Sequence, residues 1–338
     1  YADGMDGFLL KSTKQFLSDS ESKNRIYSPL NVYMALGMLA ELTAGDSRQQ
    51  ILGLLGAENL EMLRKQASDL WNANYRNDGA VTNILASSLW LNQDVRFEQG
   101  AMNTLAETYY ASSYQGKMGS KQLNQLLQNW LDEQTGGLLK EQAQAVELSP
   151  ETILALATTV YFRAKWYAEF SKDFTKEGKF HAKQGDLDCD FMNKEQCSMD
   201  YYWGEKFSAV SQSLDRYGSM WFLLPDEEVS VDELLNDKQA MDFLLSDKQR
   251  SDWENKKFLE VNLSIPVFDA SSEIELQDGL KELGVTDVFD PALSDFSAMT
   301  KEQDGICLSK ADHAVRVSVD EEGVAAAAYT VMAMDGSG

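Results

Sequence analysis

Histidine is almost absent from this chain, with His181 and His313 the two examples among 338 residues. Neither lies near a Gly-x-Ser-x-Gly elbow or another nucleophile signature, so a hydrolytic triad has no visible base. Gly-x-Gly-x-x-Gly and P-loop patterns are missing too, which removes the usual cradles for dinucleotides and nucleotides. Cysteine is equally scarce: Cys189, Cys197 and Cys307 do not make a disulfide framework and leave the redox compartment open. The gaps between His181, Cys189 and Cys197 are unlike those of compact zinc motifs. Asp186, Asp188 and Asp190 have the opening spacing of a calcium loop, but Phe191 and Cys197 stand where that loop needs glycine and glutamate. No catalytic role, metal or cofactor is expected.

Positive charge is in short supply as well. Thirty basic residues face 54 acidic ones, a formal net charge of −24. That field repels phosphate backbones and anionic bilayers, so neither nucleic acid nor a membrane is an expected partner. No apolar run approaches a membrane span. The opening YADGMDGFLL has no basic-then-apolar leader, so a signal peptide is either removed or was never there. The sequon Asn262-Leu-Ser264 would carry a glycan only in a eukaryotic secretory host.

What is present is an ample core: 43% of the chain is hydrophobic, enough for one large domain or two ordinary ones. Residues 8–17 have apolar positions at helical spacing. Ser28 is a good N-cap with Pro29 at the first helical position, and Leu30, Met34, Leu36, Met38 and Leu39 predict a largely buried helix. Residues 60–75 read as an amphipathic helix, 80–91 as a strand, and 100–110 and 122–134 as helices. The run ILALATTVYFRAKWYAEF at 153–170 is nearly continuous apolar sequence of strand character, buried on both faces. SMWFLLP at 219–225 is another buried strand, and 230–252 is helical and charged. Residues 314–320 (AVRVSVD) alternate as a half-buried strand does.

The stretch that follows, EEGVAAAAYTVMAMDGSG at 321–338, is the unusual one. Its alanines favour helix, but no residue from 324 to 334 is charged, so a helix there would have no solvated face. EEGVAAAAYT resembles the proximal hinge of the reactive-centre loop of an inhibitory serpin, usually Glu-Glu-Gly-Thr-x-Ala-Ala-Ala-x-Thr. Further blocks carry the same resemblance: Ser28-Pro29-Leu30 through Gly45, Ser47, Gln50 and Ile51; Trp130, Thr135 and Gly137; Leu154, Leu156, Tyr161, Phe162, Arg163 and Trp166; then Leu263, Pro266, Phe268, Leu276, Leu280, Leu283, Gly284, Asp287, Phe289 and 295–297. They span nearly the whole chain.

The resemblance implies one serpin domain over 1–338, of α+β class, with about eight to nine helices around three β-sheets. It implies that the loop is bait for a serine protease and that, once cut, it swings at Gly323 and inserts as an extra strand of the central sheet. The hinge and inserting residues would be Glu321, Glu322, Gly323, Val324, Ala325, Ala326, Ala327, Ala328 and Thr330. In a strand, Val324, Ala326, Ala328, Thr330, Met332 and Met334 point inward together, and Tyr329 points outward. The family's shutter, a polar cluster beneath the sheet, would fall on Ser28, Asn31, Thr158 and His313, and Trp166 would mark where the loop enters. Thr158 stands where the family has asparagine and Asn31 where it has serine, an exchange that moves the amide from strand to helix and would leave His313 a partner. Ala164 replaces a family glycine.

Serpins continue past the loop with strands that complete a second sheet. At the family's loop length the reactive bond falls at about Ser337–Gly338. The chain is therefore expected to be the large fragment of a loop-cleaved molecule, with its C-terminal fragment a separate chain. The implied partner is a target serine protease held in a covalent complex by a monomeric, secreted inhibitor. A small neutral residue before the bond suits elastase-like or subtilisin-like enzymes. Residues 60–76 hold only Arg64, Lys65 and Arg76 as basic residues, so no heparin activation is implied. The alternatives are a non-inhibitory serpin acting as chaperone, carrier or store, disfavoured by the alanine-rich hinge, and a hydrolase, which lacks a nucleophile constellation.

Overall fold

The computed structural model describes residues 3–19, 23–79, 81–216 and 218–336. Its α-helices are α1 (Asp3–Leu17), α2 (Pro29–Leu42), α3 (Gly45–Leu55), α4 (Leu60–Asn74), α5 (Gln99–Thr108), α6 (Lys121–Gln134), α7 (Lys140–Gln144), α8 (Val231–Asn236), α9 (Lys238–Leu245), α10 (Asp247–Ser251) and α11 (Gln277–Glu282). The strands are β1 (Arg76–Asn77), β2 (Val81–Asn92), β3 (Ser112–Gly116), β4 (Thr152–Lys165), β5 (Lys176–Ala182) and β6 (Gly185–Trp203). They continue with β7 (Phe207–Ser213), β8 (Ser219–Pro225), β9 (Lys256–Pro266), β10 (Phe268–Glu275), β11 (Cys307–Val319) and β12 (Gly323–Asp335).

The α+β class holds, with two differences of count among the described residues. Eleven α-helices replace the eight or nine expected, partly because Asp237 and Ser246 each cap a new start and divide 230–252 into three short helices. Two sheets replace the expected three. The reason is β6, which is 19 residues long. It pairs with β5 and β9 over most of its length and with β7 at Tyr202 and Trp203, so it fuses what would otherwise be separate sheets.

The central sheet runs β1-β2-β4-β12-β11-β10, with β3 beside β2. Its long strands are antiparallel, and only β3 runs parallel to its neighbour. Residues 323–335 are thus a strand, neither helix nor free tail. They pair with β4 on one side and β11 on the other along their length.

Both faces of the sheet are covered. On one side lies α2, capped by the Ser28 hydroxyl and buried at twelve of its positions. Met332 and Met334 join Leu154, Leu156 and Leu308 in the core on that side. On the other lies α6, whose Leu123, Leu127, Trp130 and Leu131 form one apolar stripe. Here the outward reading of Tyr329 needs correction. Its ring does point away from Thr330, but that face is roofed, and Tyr329 is 2% exposed against Ala157, Ala314 and the α6 layer. Alternation with period two fixes which residues share a face and says nothing about what covers it. Of the expected inward set, Val324, Ala328, Thr330, Met332 and Met334 are buried and Ala326 is half-buried.

Candidate functional site

Two groups of residues hold β12: one where it enters the sheet, one at its middle. At the entry, β11 ends in a turn built by Asp320. Its carboxylate accepts from the Glu322 and Gly323 amides at 2.8 and 3.1 Å, and its own amide donates to the Gly323 carbonyl at 3.1 Å. Trp166 closes this turn from the β4 side. Its indole N–H donates to the Asp320 carbonyl at 2.7 Å and its amide to the Glu322 carbonyl at 3.0 Å. Glu321 accepts from the Thr175 hydroxyl at 2.6 Å, and Glu322 faces Lys172 at 3.3 Å on the surface. Thr175 keeps the family's spacing, but nothing in the sequence pointed to its contact with Glu321 or to the turn built by Asp320; both come from proximity across 146 to 154 positions of chain.

Gly323 serves this entry by its lack of a side chain. It is not among the residues with positive φ. A Cβ there would lie 2.1 Å from the Ala164 carbonyl oxygen, so the close approach of β12 to β4 requires glycine. Ala164 itself pairs with Val324 in ordinary strand geometry.

At the middle, Ser87, Thr158, Thr330 and His313 stand opposite one another on β2, β4, β12 and β11. They form a polar row across four strands, with α2 directly beneath. His313 is fully buried, and its Nε2 accepts from the Ser28 amide at 3.1 Å. Nδ1 must then carry the proton, donating towards the Tyr329 carbonyl at 3.0 Å and the Thr330 hydroxyl at 2.9 Å. The Thr330 hydroxyl in turn donates to Asn31 Oδ1 at 2.6 Å. Asn31 Nδ2 donates to the Thr158 hydroxyl at 3.1 Å, and that hydroxyl returns a bond to the Asn31 carbonyl at 3.2 Å.

Asn31 therefore reaches His313 through Thr330 and has no direct bond to it. Ser28 supplies its backbone amide to the ring while its hydroxyl caps α2. The residue that closes the circuit, Thr330, comes from β12 itself. Ser87, which extends the row, could have been found only from the β2–β4 register.

Burial pushes the His313 imidazole down to about 3 from an ordinary 6.5. Below pH 6.5 the unfolded chain takes up a proton that the folded ring refuses. This contribution to stability is intact above pH 6.5 and is lost, at up to ~1.4 kcal/mol per pH unit, as pH falls towards about 3. Denaturation midpoints measured between neutral pH and about pH 4 should fall more steeply for the wild type than for His313→Gln. Equal slopes would mean that another group carries the acid sensitivity.

The arrangement holds a strand in the sheet. Cys189, Cys197 and Cys307 are free thiols. His181 sits on the surface with its Nδ1 2.8 Å from Asp186. Among the described residues no group of three or more His, Cys, Asp or Glu side chains could hold a metal ion.

Known proteins share this architecture. The family model described as Serpin (serine protease inhibitor) matches residues 3–337. Serpin-Z2A of Oryza sativa subsp. japonica is 27% identical, the match covering 97% of this chain and 87% of the relative. Leukocyte elastase inhibitor of Homo sapiens is 28% identical over 93% of this chain and 85% of its own length. Among solved structures, cleaved Kallistatin complexed with heparin superposes with a TM-score of 0.88 at 23% identity, covering 99% of this chain and 98% of that one, a likeness of fold. A family match over almost every residue, together with a central sheet that takes in 323–335 as a strand, shows that this chain belongs to the serpin family.

Proposed function

We propose that this protein inhibits serine proteases by trapping the acyl-enzyme as its reactive loop enters the central sheet. The observation that carries the reading is β12: a strand uncharged from 323 to 334, paired on both sides and buried on both faces. An uncharged strand can enter a packed sheet without leaving a charge unpaired inside it. We read the inserted arrangement as the state reached after the loop is cut.

In this reading the chemistry belongs to the protease. Its serine oxygen attacks the loop carbonyl, the peptide C–N bond breaks, and the departing amine takes a proton from the protease histidine. An ester now joins the two proteins, and only water attack on it would free the enzyme. As β12 zips in from Gly323, its 13 residues carry the ester about 40 Å along the sheet, at ~3.3 Å per residue. The pull distorts the oxyanion hole, and deacylation stalls. The expected bond, Ser337–Gly338, lies outside the described residues; its small side chains suit elastase-like and subtilisin-like pockets. Heparin-like activation has no place in the reading, since Arg64 on α4 is already bound by both oxygens of Glu41 at 2.8 Å each.

The test is a gel. Uncut protein mixed with pancreatic elastase or with subtilisin should give a covalent adduct that survives SDS. Cut protein alone, with the protease left fully active, would mean a non-inhibitory serpin, and turnover of a small ester without cutting would mean a hydrolase.

A further inference from the structure

The far end of β12 is held by a device separate from the entry turn and the polar row. Asp335 is the first charged residue after Glu322. It sits at the end of this central strand, beside Met334, which is fully buried. There the β4–β12 register shifts, so that Met334 stands opposite Leu154 and Asp335 opposite Thr152. One carboxylate oxygen accepts from the Thr152 hydroxyl at 2.8 Å and the other from the Ser149 hydroxyl at 3.2 Å. The two hydroxyl donors are 3.3 Å apart and held by a turn in which the Thr152 amide donates to the Ser149 carbonyl at 3.2 Å. One residue on, the Gly336 amide donates to the Glu151 carbonyl at 3.1 Å.

We infer that Asp335 is a positioning residue: its carboxylate, clasped by Ser149 and Thr152, sets the register at which insertion stops and keeps the strand end from backing out. This rests on the inhibitory reading for its consequence, though not for its geometry. If the strand stopped two residues short, both hydroxyls would lose their acceptor. If it ran two residues further, the carboxylate would pass beyond Thr152 and lose both hydroxyls again; if it slipped two back towards the entry, it would be drawn beside Leu154 and Leu308 in the apolar core, where an unpaired charge is not tolerated. A single side chain thus penalises both errors.

The clasp lies two positions before Ser337, where the ester to the protease would be. Trapping is a race between completing the pull and hydrolysis of that ester. A strand end that frays would relax the pull and let the protease recover its oxyanion hole. The hydroxyls of Ser149 and Thr152 would then determine how long the adduct lasts, while leaving the rate of loop cutting alone.

The test uses the double variant Ser149→Ala/Thr152→Val, which leaves the loop sequence seen by the protease unchanged, with Thr152→Ser as the conservative control. The cut form of the double variant should melt roughly 2–6 °C below the cut wild type, while the uncut forms melt together. With elastase, its adduct should release active protease several-fold faster than the wild-type adduct, at the same rate of loop cutting, and Thr152→Ser should behave as wild type. Asp335→Asn, which weakens the acceptor without changing shape, should lower the cut-form melting point in the same direction. Equal shifts in the cut and uncut forms would reduce Ser149 and Thr152 to ordinary structural residues and overturn the inference, as would an unchanged cut-form melting point. If the wild type forms no adduct, the inhibitory reading fails, and the melting difference between cut forms still decides whether the clasp exists.

Discussion

Cutting the loop should raise the melting temperature by tens of degrees. On the proposed reading, β4 and β11 have no β12 between them before the cut, because residues 323–335 are then held at both ends. Once severed, they gain a ladder on each side. They also bury Val331, Met332, Ala333 and Met334, each no more than 2% exposed, and complete the circuit of Asn31, Thr330 and His313. For a chain of this length one kcal/mol shifts the midpoint by only ~1–2 °C. A rise of tens of degrees therefore requires on the order of 10 kcal/mol or more, comparable with the whole stability of an ordinary domain, about 5–15 kcal/mol. The uncut fold must then be a kinetically trapped state of higher energy. Thermal scans before and after limited elastase digestion measure the difference directly. Coincident transitions would remove the energy source on which trapping depends.

On the proposed inhibitory reading, Thr330→Arg should make the protein a substrate of its target protease. Thr330 is fully buried at the centre of the sheet, and its hydroxyl bridges Asn31 Oδ1 and His313 Nδ1. An arginine there would have to bring a charge into a site whose imidazole is itself kept neutral by burial. An uncompensated buried charge costs about 3–5 kcal/mol, and each 1.4 kcal/mol is worth about tenfold in the balance between two outcomes. Insertion would halt half-way, short of the distance needed to distort the protease. The expected result is at least ~10-fold more inhibitor consumed per protease inactivated, an unchanged rate of loop cutting, and most of the thermal gain lost. Thr330→Ser, which keeps the hydroxyl, should retain both trapping and thermal gain. Normal adduct yield from the arginine variant would show that trapping does not need the strand inserted past its midpoint.

The two experiments probe different parts of the same strand. The first measures the energy released by full insertion, and the second asks whether that release is coupled to the fate of the protease. A molecule with a large thermal gain and no adduct would be a serpin whose loop inserts too slowly to win the race.

Much of this was legible in the residues themselves. The absence of charge from 324 to 334 argued against a helix, while the expectation of a strand came from the resemblance of 321–330 to the family's hinge. Ser28 and Pro29 announced α2, and the apolar run at 153–170 announced a strand buried on both faces; α2 lies where its signals put it, and β4 ends earlier, at Lys165, and is continuously buried only as far as Thr159. Such features are local, since capping, alternation and charge are read within a few positions of chain.

The remainder depended on contacts between distant segments. The bond between Thr330 and Asn31 joins residues 299 positions apart, and Asp335 meets Thr152 across 183. That α6 roofs the face carrying Tyr329, that β6 fuses two sheets, and that Gly323 is needed for close approach to the Ala164 carbonyl rather than for a left-handed backbone were decided only when the sheet closed. A sequence determines which side chains a strand shows to each face; only the packed structure determines what waits there to meet them, because burial and hydrogen-bond partners are properties of neighbours in space.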